Sequence, residues 1–205
     1  MMAISWRRLA VVAVLAVLFG ASGCALLVDE EERADAHAEF VEERKDLLRW
    51  SVSGRAAVRV NGEGATLSLR WQQRDEVFDI NLSGPFGAGA VRVSGQPGAV
   101  VLNDGSGQAH SAPDPESLFA THTGYDLPVS ALRYWIVGLP AEELEVGDKD
   151  IDARGRPRQI VQNGWQVEFR RWESVEGIYM PSRIDIQKSA KQLRVALSSW
   201  QIDDE

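Results

Sequence analysis

The chain has 205 residues, with 30 acidic against 22 basic side chains and a net charge of −8. That balance excludes nucleic acid as a natural partner and membrane attachment through a polybasic patch, so any contact with lipid has to be apolar or covalent. A single cysteine excludes a disulfide framework, and 44% hydrophobic residues suffice for one core of ordinary size.

At the N-terminus Arg7 and Arg8 precede an unbroken apolar run from Leu9 to Phe19, then Gly20-Ala21-Ser22-Gly23 and Cys24. This is the layout of a secretory signal. As a helix the run covers roughly 16 Å, about half of the hydrocarbon thickness, so it is expected to be removed rather than to span a membrane. Ala21-Ser22-Gly23-Cys24 resembles the bacterial lipobox, in which a peptidase cuts before a cysteine whose sulfur carries diacylglycerol; Ala21 stands where leucine is usual. The resemblance implies a lipoprotein signal peptide at 1–23 and a diacylglycerol-bearing, N-acylated (palmitate-type) Cys24. An ordinary signal peptide with an incidental cysteine is the alternative. Ala25, in place of the aspartate that retains many enteric-type lipoproteins in the inner membrane, favours the outer membrane, facing the periplasm. Loss of Arg7 and Arg8 with the leader makes the mature chain still more acidic.

Residues 26–48 are rich in Glu, Asp and Ala, without Pro or Gly, and read as a charged tether passing into a helix. Ala36, Phe40 and Leu47 give it a narrow apolar stripe. The acidic run Asp29 to Glu32 reads as a solvated spacer and helix start. From Trp50 the period changes to two, the mark of strands with one buried face. Val52, Ala56, Val58 and Val60 come first, then Ala65, Leu67, Leu69 and Trp71. Phe78, Ile80 and Leu82 follow, and then Val91 and Val93. Asn61-Gly62, Gly84-Pro85, Gln96-Pro97-Gly98 and Asp104-Gly105 supply the turns of an antiparallel meander of five or six strands.

Over residues 112–140 the period is helical. Pro113-Asp114-Pro115 opens a short helix with Leu118 and Phe119. Pro128 starts a second, in which Ala131, Leu132, Trp135, Ile136 and Leu139 form a wide apolar stripe closed by Gly138 and Pro140. Strands resume in Arg158 to Val161, in Trp165, Val167 and Phe169, in Ile178 to Ile186, and in Leu193 to Leu197, ending near Trp200. Asn163-Gly164 is the strongest hairpin signal. About ten or eleven strands in one sheet would curl. The expected fold is therefore mainly β, an incomplete antiparallel barrel with helices across its concave side, occupying residues 49–203 after a lipidated tether at 24–48.

Signatures of catalysis are not found. His37, His110 and His122 fall in a charged helix, a polar strand and a loop, without metal-ligand spacing, and read as solvated. There is no Gly-x-Ser-x-Gly elbow and no phosphate-cradling glycine loop before a helix. The expectation is a protein that is not an enzyme and carries no cofactor or metal. Trp50, Trp71, Trp135, Trp165, Trp172 and Trp200 read either as ordinary core or, in part, as the lining of a pocket between sheet and helix. Trp71, Leu118, Leu132, Trp135, Ile136 and Trp165 are the candidate lining residues.

Three stretches together resemble the LolB family of lipoprotein-localisation receptors: Leu127-Pro128 through Leu139-Pro140; Gln162-Asn163-Gly164-Trp165 with Met180-Pro181 and a last strand ending at Trp200; and Gly54-Arg55, Trp71-Gln72-Gln73, Gly84-Pro85-Phe86-Gly87 and Gln96-Pro97-Gly98. They span roughly residues 45 to 203. The resemblance implies a helix-covered, unclosed barrel of the LolA/LolB kind with an apolar cavity for acyl chains. It implies the periplasmic carrier LolA, acylated lipoproteins and outer-membrane lipid as partners of a monomer. It also implies that the apolar residue at a strand–strand turn, here Phe86 beside Pro85 where the pattern has leucine, inserts into the membrane. Pro85, Gly84 and Gly87 leave the ring free to project, although a ring folded back on the core is the alternative. A structural lipoprotein docking on an envelope assembly would share Cys24 and the strands without binding acyl chains, whereas a lipid hydrolase would need a nucleophile–base pair that is not evident.

Overall fold

The computed structural model describes residues 22–123 and 127–203. Residues 1–21 of the expected leader and the side chain of Cys24 lie outside the described residues.

The segments of period two form one antiparallel sheet. Its strands are β1 (Arg49–Val60), β2 (Glu63–Arg74), β3 (Val77–Ser83), β4 (Val91–Gln96), β5 (Ala99–Asn103), β6 (Ala109–Ala112), β7 (Val146–Ile151), β8 (Pro157–Gln162), β9 (Trp165–Val175), β10 (Ile178–Lys188) and β11 (Lys191–Ile202). Their spatial order is β6-β5-β4-β3-β2-β1-β11-β10-β9-β8-β7, with β6 and β7 as unpaired edges, so the sheet is open. Three helices accompany it: α1 (Ser22–Lys45), α2 (Pro115–Thr123) and α3 (Val129–Trp135). The mainly β, unclosed architecture read from the sequence is the architecture observed.

Register explains the core. Val52 pairs with Trp71, Trp71 with Ile80, Ile80 with Val93 and Val93 with Leu102, so one row of buried side chains crosses five strands without slipping to the wet face. The meander halves meet where β1 pairs with β11, with Ala56 opposite Val195 and Val58 opposite Leu193. Turn chemistry holds the hairpins: Asn61-Gly62 and Asn163-Gly164 both take positive φ at each residue, which is what two-residue hairpin loops require. Val91 of β4 and Ile184 of β10 line the same cavity although they are five strand spacings apart. On a flat sheet that is roughly 24 Å, so the sheet curls.

Four readings need correction. The acidic run Asp29–Glu32 lies inside α1 rather than at its start, because the helix begins at Ser22. β7 was not foreseen: Val146-Gly147-Asp148-Lys149-Asp150-Ile151 is an exposed edge, where charge protects the unpaired backbone and no alternation develops. His122 belongs to α2, not a loop, and its ring lies tilted against that of His110 at 3.8 Å between centroids, while the half-buried His37 has Nδ1 2.8 Å from Gly155 O. Leu139 lies beyond α3, because the helix is closed by a Schellman turn. Gly138 has φ +89°, its N–H donates to Trp135 O, and the Leu139 N–H donates to Tyr134 O at 3.0 Å.

The packed unit also reaches back across the boundary expected at residue 48. Phe40 of α1 is buried edge-on against Trp172, with centroids 5.6 Å apart. The Arg44 guanidinium lies 3.6 Å from the Phe40 centroid and donates to Tyr179 O at 2.5 Å; burial lowers its pKa, and Glu43 opposes that shift. Gly155 is required here, since a Cβ would sit 2.0 Å from Ala36 O and its φ is +76°. A chain starting at residue 49 is therefore expected to be less stable than one starting at residue 25 by about 3 kcal/mol, the order of deleting one buried phenylalanine. Urea unfolding of the two proteins checks this, and equal midpoints would show that α1 contributes nothing to the folded unit.

The β7–β8 turn beneath α1 is tied by Asp152, which accepts from the Arg154 and Arg156 amides and from the Arg156 guanidinium at 2.7 Å. Burial raises the pKa of this carboxyl, but the hydrogen bonds from Arg156 and the two amides outweigh it, and the net direction is down. The bond's contribution is thus present above the ordinary value of 3.8 and is lost as pH falls through the lower folded value. Asp152→Asn is expected to lose less Tm than the parent between pH 6 and pH 3, and an identical loss would remove Asp152 from the acid response.

Candidate functional site

Two cavities open on the face of the sheet covered by α2 and α3, and Trp71, Ile80 and Val129 form a wall common to both. The smaller, about 110 Å³, has the inward residues of β1 to β4, β10 and β11 as its floor, among them Val58, Leu69 and Val195. Phe119, Leu132 and Ile136 form its roof. Among the described residues no charged side chain lines it, and the one polar side-chain group, the indole N–H of Trp71, donates to Gln73 Oε1 at 3.0 Å. Side chains that leave no hydrogen-bonding group free offer water little and suit hydrocarbon.

The larger cavity, about 530 Å³, lies toward the other end of β3. Phe78, Val100, Tyr134 and Trp165 line it together with polar groups at its margin, including Gln73, Arg133 and Glu143.

The roof is fixed by one buried amide. Gln162 of β8 has no exposed surface; its Oε1 accepts from Trp135 Nε1 at 2.7 Å and from the Ala141 amide at 2.8 Å. Its Nε2 donates to Ala141 O and Leu144 O, each at 2.9 Å. The end of α3 and the segment after it are thereby tied to the sheet with the amide's capacity filled.

Of the residues proposed for the cavity, Leu132 and Ile136 line the smaller space, Trp71 stands between the two, and Trp165 lines only the larger. Two are corrected. Trp135 is wholly buried and lines neither cavity, because its indole turns into the core to reach Gln162. Leu118 is buried and lines neither, while its neighbour Phe119, about 100° further around α2, lines the smaller. The lining residues of β1, β2, β10 and β11 were missed as a group. Their signal was the period-two alternation itself, which places every inward residue of those strands on the cavity face.

Gly84, Pro85, Phe86, Gly87 and Ala88 join β3 to β4. The Gly84 amide donates to Ala88 O at 2.8 Å, closing the base of the loop, and the Gly87 amide donates to Gly84 O at 3.1 Å. Phe86 sits at the tip with φ 58° and ψ 21°, an uncommon conformation for a bulky residue, and its relative exposure is 110%. Leu82 and Val91, the strand residues flanking this loop, line the smaller cavity, as does Gly89. A fully exposed ring therefore stands beside the edge of a purely apolar space.

A family model described as "Outer membrane lipoprotein LolB" matches residues 48–200. The chain is 56% identical over 184 residues to the outer-membrane lipoprotein LolB of Halorhodospira halophila, covering 90% of this chain and 91% of that one. It is 41% identical to the LolB of Alkalilimnicola ehrlichii, covering 88% and 91%. Among solved structures it resembles a LolA superfamily protein from Nitrosomonas europaea, with TM-score 0.52 and 9% identity, covering 84% and 94%. It also resembles a DUF1329 family protein from Desulfovibrio piger, with TM-score 0.54 and 11% identity, covering 85% and 93%. These two share the fold alone. With the matched region taking in all eleven strands but the last two residues of β11, and both helices of the roof, the chain belongs to the LolB family of outer-membrane lipoproteins.

Proposed function

We propose that this chain is an outer-membrane lipoprotein receptor: it accepts acylated lipoproteins from a periplasmic carrier of the LolA kind into its apolar cavity and passes them to the outer membrane. The observation that carries the reading is the uncharged cavity roofed by Phe119, Leu132 and Ile136, with the exposed Phe86 loop at its edge. In the same reading Cys24 carries the lipid anchor, residues 24–48 are the lipidated tether and helix, and the domain works from the periplasmic face as a monomer.

The need for a cavity follows from solvation. Three acyl chains of about fifteen methylenes, at about 0.8 kcal/mol each, cost on the order of 35 kcal/mol to expose to water. Transfer is feasible only if the cavity mouths of carrier and receptor meet before the chains move. Direction then comes from a rise in affinity at each step, carrier to receptor to bilayer.

The test is transfer of a triacylated cargo from purified carrier, read by co-purification of the cargo with this chain. Leu132→Glu places a carboxylate in the roof of the uncharged space and is expected to reduce cargo acceptance at least tenfold while the circular dichroism of the sheet is retained. Undiminished acceptance by the folded variant would remove the smaller cavity from the pathway.

A further inference from the structure

The larger cavity is built differently from the smaller, and it is not explained by hydrocarbon. Its wall of Trp71, Phe78, Val100 and Trp165 is apolar, but Arg133 of α3 lines it as well. The Arg133 guanidinium is held by Tyr134. Nη2 donates to Tyr134 Oη at 2.7 Å, and the guanidinium carbon lies 4.6 Å from the ring centroid. Its Nε is buried without a protein acceptor, and among the described residues no carboxylate pairs with it. That Nε is closed off from the cavity, so the donors Arg133 can present to a ligand there are its Nη groups, of which Nη2 already donates to Tyr134 Oη. Several other polar groups of the cavity are occupied: Gln73 binds the Trp71 indole and Asp75 O, Ser130 binds Glu116, and Asp114 binds Ser117.

We propose that the larger cavity is a headgroup site, in which Arg133 donates to the ester and amide carbonyls of a triacylated cysteine while acyl chain passes the Trp71 wall into the smaller cavity. The inference rests on the function proposed above. Charge selects the head. Four carboxylates, Glu76, Asp114, Glu116 and Glu143, line this cavity with one guanidinium. A phosphate or free carboxylate entering there meets net repulsion, whereas a triacylated cysteine carries no charge on its head and offers several carbonyl acceptors. The site thus separates lipoprotein from the anionic phospholipid that surrounds it in the membrane.

The experiment uses the mature protein and three probes: a synthetic triacylated lipopeptide, phosphatidylglycerol, and diphenylhexatriene, which has hydrocarbon and no carbonyl. Arg133→Met is expected to bind the lipopeptide about tenfold more weakly, the loss expected for a hydrogen bond from a charged donor, and to bind diphenylhexatriene within twofold of the parent. Glu76→Gln/Glu143→Gln is expected to narrow the preference for lipopeptide over phosphatidylglycerol by at least threefold. Arg133→Gln, which keeps polarity, serves if the methionine variant melts early. Equal loss of lipopeptide and hydrocarbon binding, or no loss of either, would overturn the headgroup site while leaving the receptor reading intact. A parent protein that binds neither probe would defeat the receptor reading, and the headgroup site with it.

Discussion

Phe86→Glu is expected to leave folding and cargo acceptance within twofold of the parent and to cut delivery into membranes at least tenfold. The ring contributes nothing to the core, being fully exposed, so its loss removes no packing. Its loop is closed by backbone bonds between Gly84, Ala88 and Pro85 that the substitution does not touch. Burying a phenylalanine ring in hydrocarbon is worth roughly 1.5–3 kcal/mol, a tenfold to hundredfold bias toward dipping the loop into a bilayer yet far short of an anchor. A glutamate there reverses the sign of that term. Phe86→Leu, the residue usual at this turn in the family pattern, is expected to deliver normally. Phe86→Gly separates the ring from the backbone, since glycine adopts φ 58° without strain. The measurement is cargo transferred from the receptor to liposomes. Normal delivery by Phe86→Glu would exclude membrane insertion by the ring, and a lowered Tm would show that the exposed ring supports the fold in some other way.

Gln162→Ala is expected to be the most destabilising single change in the roof, by about 3–4 kcal/mol, or on the order of 10 °C in Tm for a chain of this size. Truncation strands the Trp135 indole N–H and the Ala141 amide as buried donors, and leaves two carbonyls, Ala141 O and Leu144 O, with an acceptor site unfilled. It also opens a void beside a wholly buried indole. The loss should exceed that of Trp165→Phe, which keeps an aromatic in the wall of the larger cavity. Because α3 carries Leu132, with its C-cap residue Ile136, on the cavity face and Trp135 on the anchored face, the same variant should bind diphenylhexatriene less tightly. Thermal unfolding by circular dichroism decides the matter: a loss below 1 kcal/mol would mean that the 141–144 segment and α3 are held by contacts other than this amide.

Much of the molecule was legible because it rests on near neighbours in sequence. Alternation of Val52, Ala56 and Val58, or of Leu67, Leu69 and Trp71, is a property of the pleat, and it identified strands that the sheet then contained. Asn61-Gly62 and Asn163-Gly164 encode hairpins through their tolerance of positive φ. Pro128 and Gly138 bracket α3, and the positive φ of Gly138 closes the turn after it. The exposure of Phe86 was half legible: the Pro and Gly around it said that the ring was able to project, but not that it did.

Direction and company came from long-range packing. Strand β7 has no buried face to pattern its sequence, so nothing in Val146–Ile151 announced it. On α2 and α3 an apolar stripe is wide enough that Leu118 and Phe119, or Trp135 and Ile136, serve equally well by periodicity; a rotation of about 100° per residue sends one into the core and the other to the cavity, and for Trp135 and Ile136 the distant Gln162 fixes which. The docking of Phe40 and Arg44 depends on Trp172, Tyr179 and the bare Cα of Gly155, all over a hundred residues away. The pairing of β1 with β11, the curl that brings β4 and β10 to one cavity, and the position of the Phe86 loop at its edge are likewise long-range facts. The strands other than β7, the turns and the family could be read from the chain, since each is set by local period or by motif. The cavity, its dry and polar compartments and the loop beside it were decided by packing between segments whose patterns do not refer to one another.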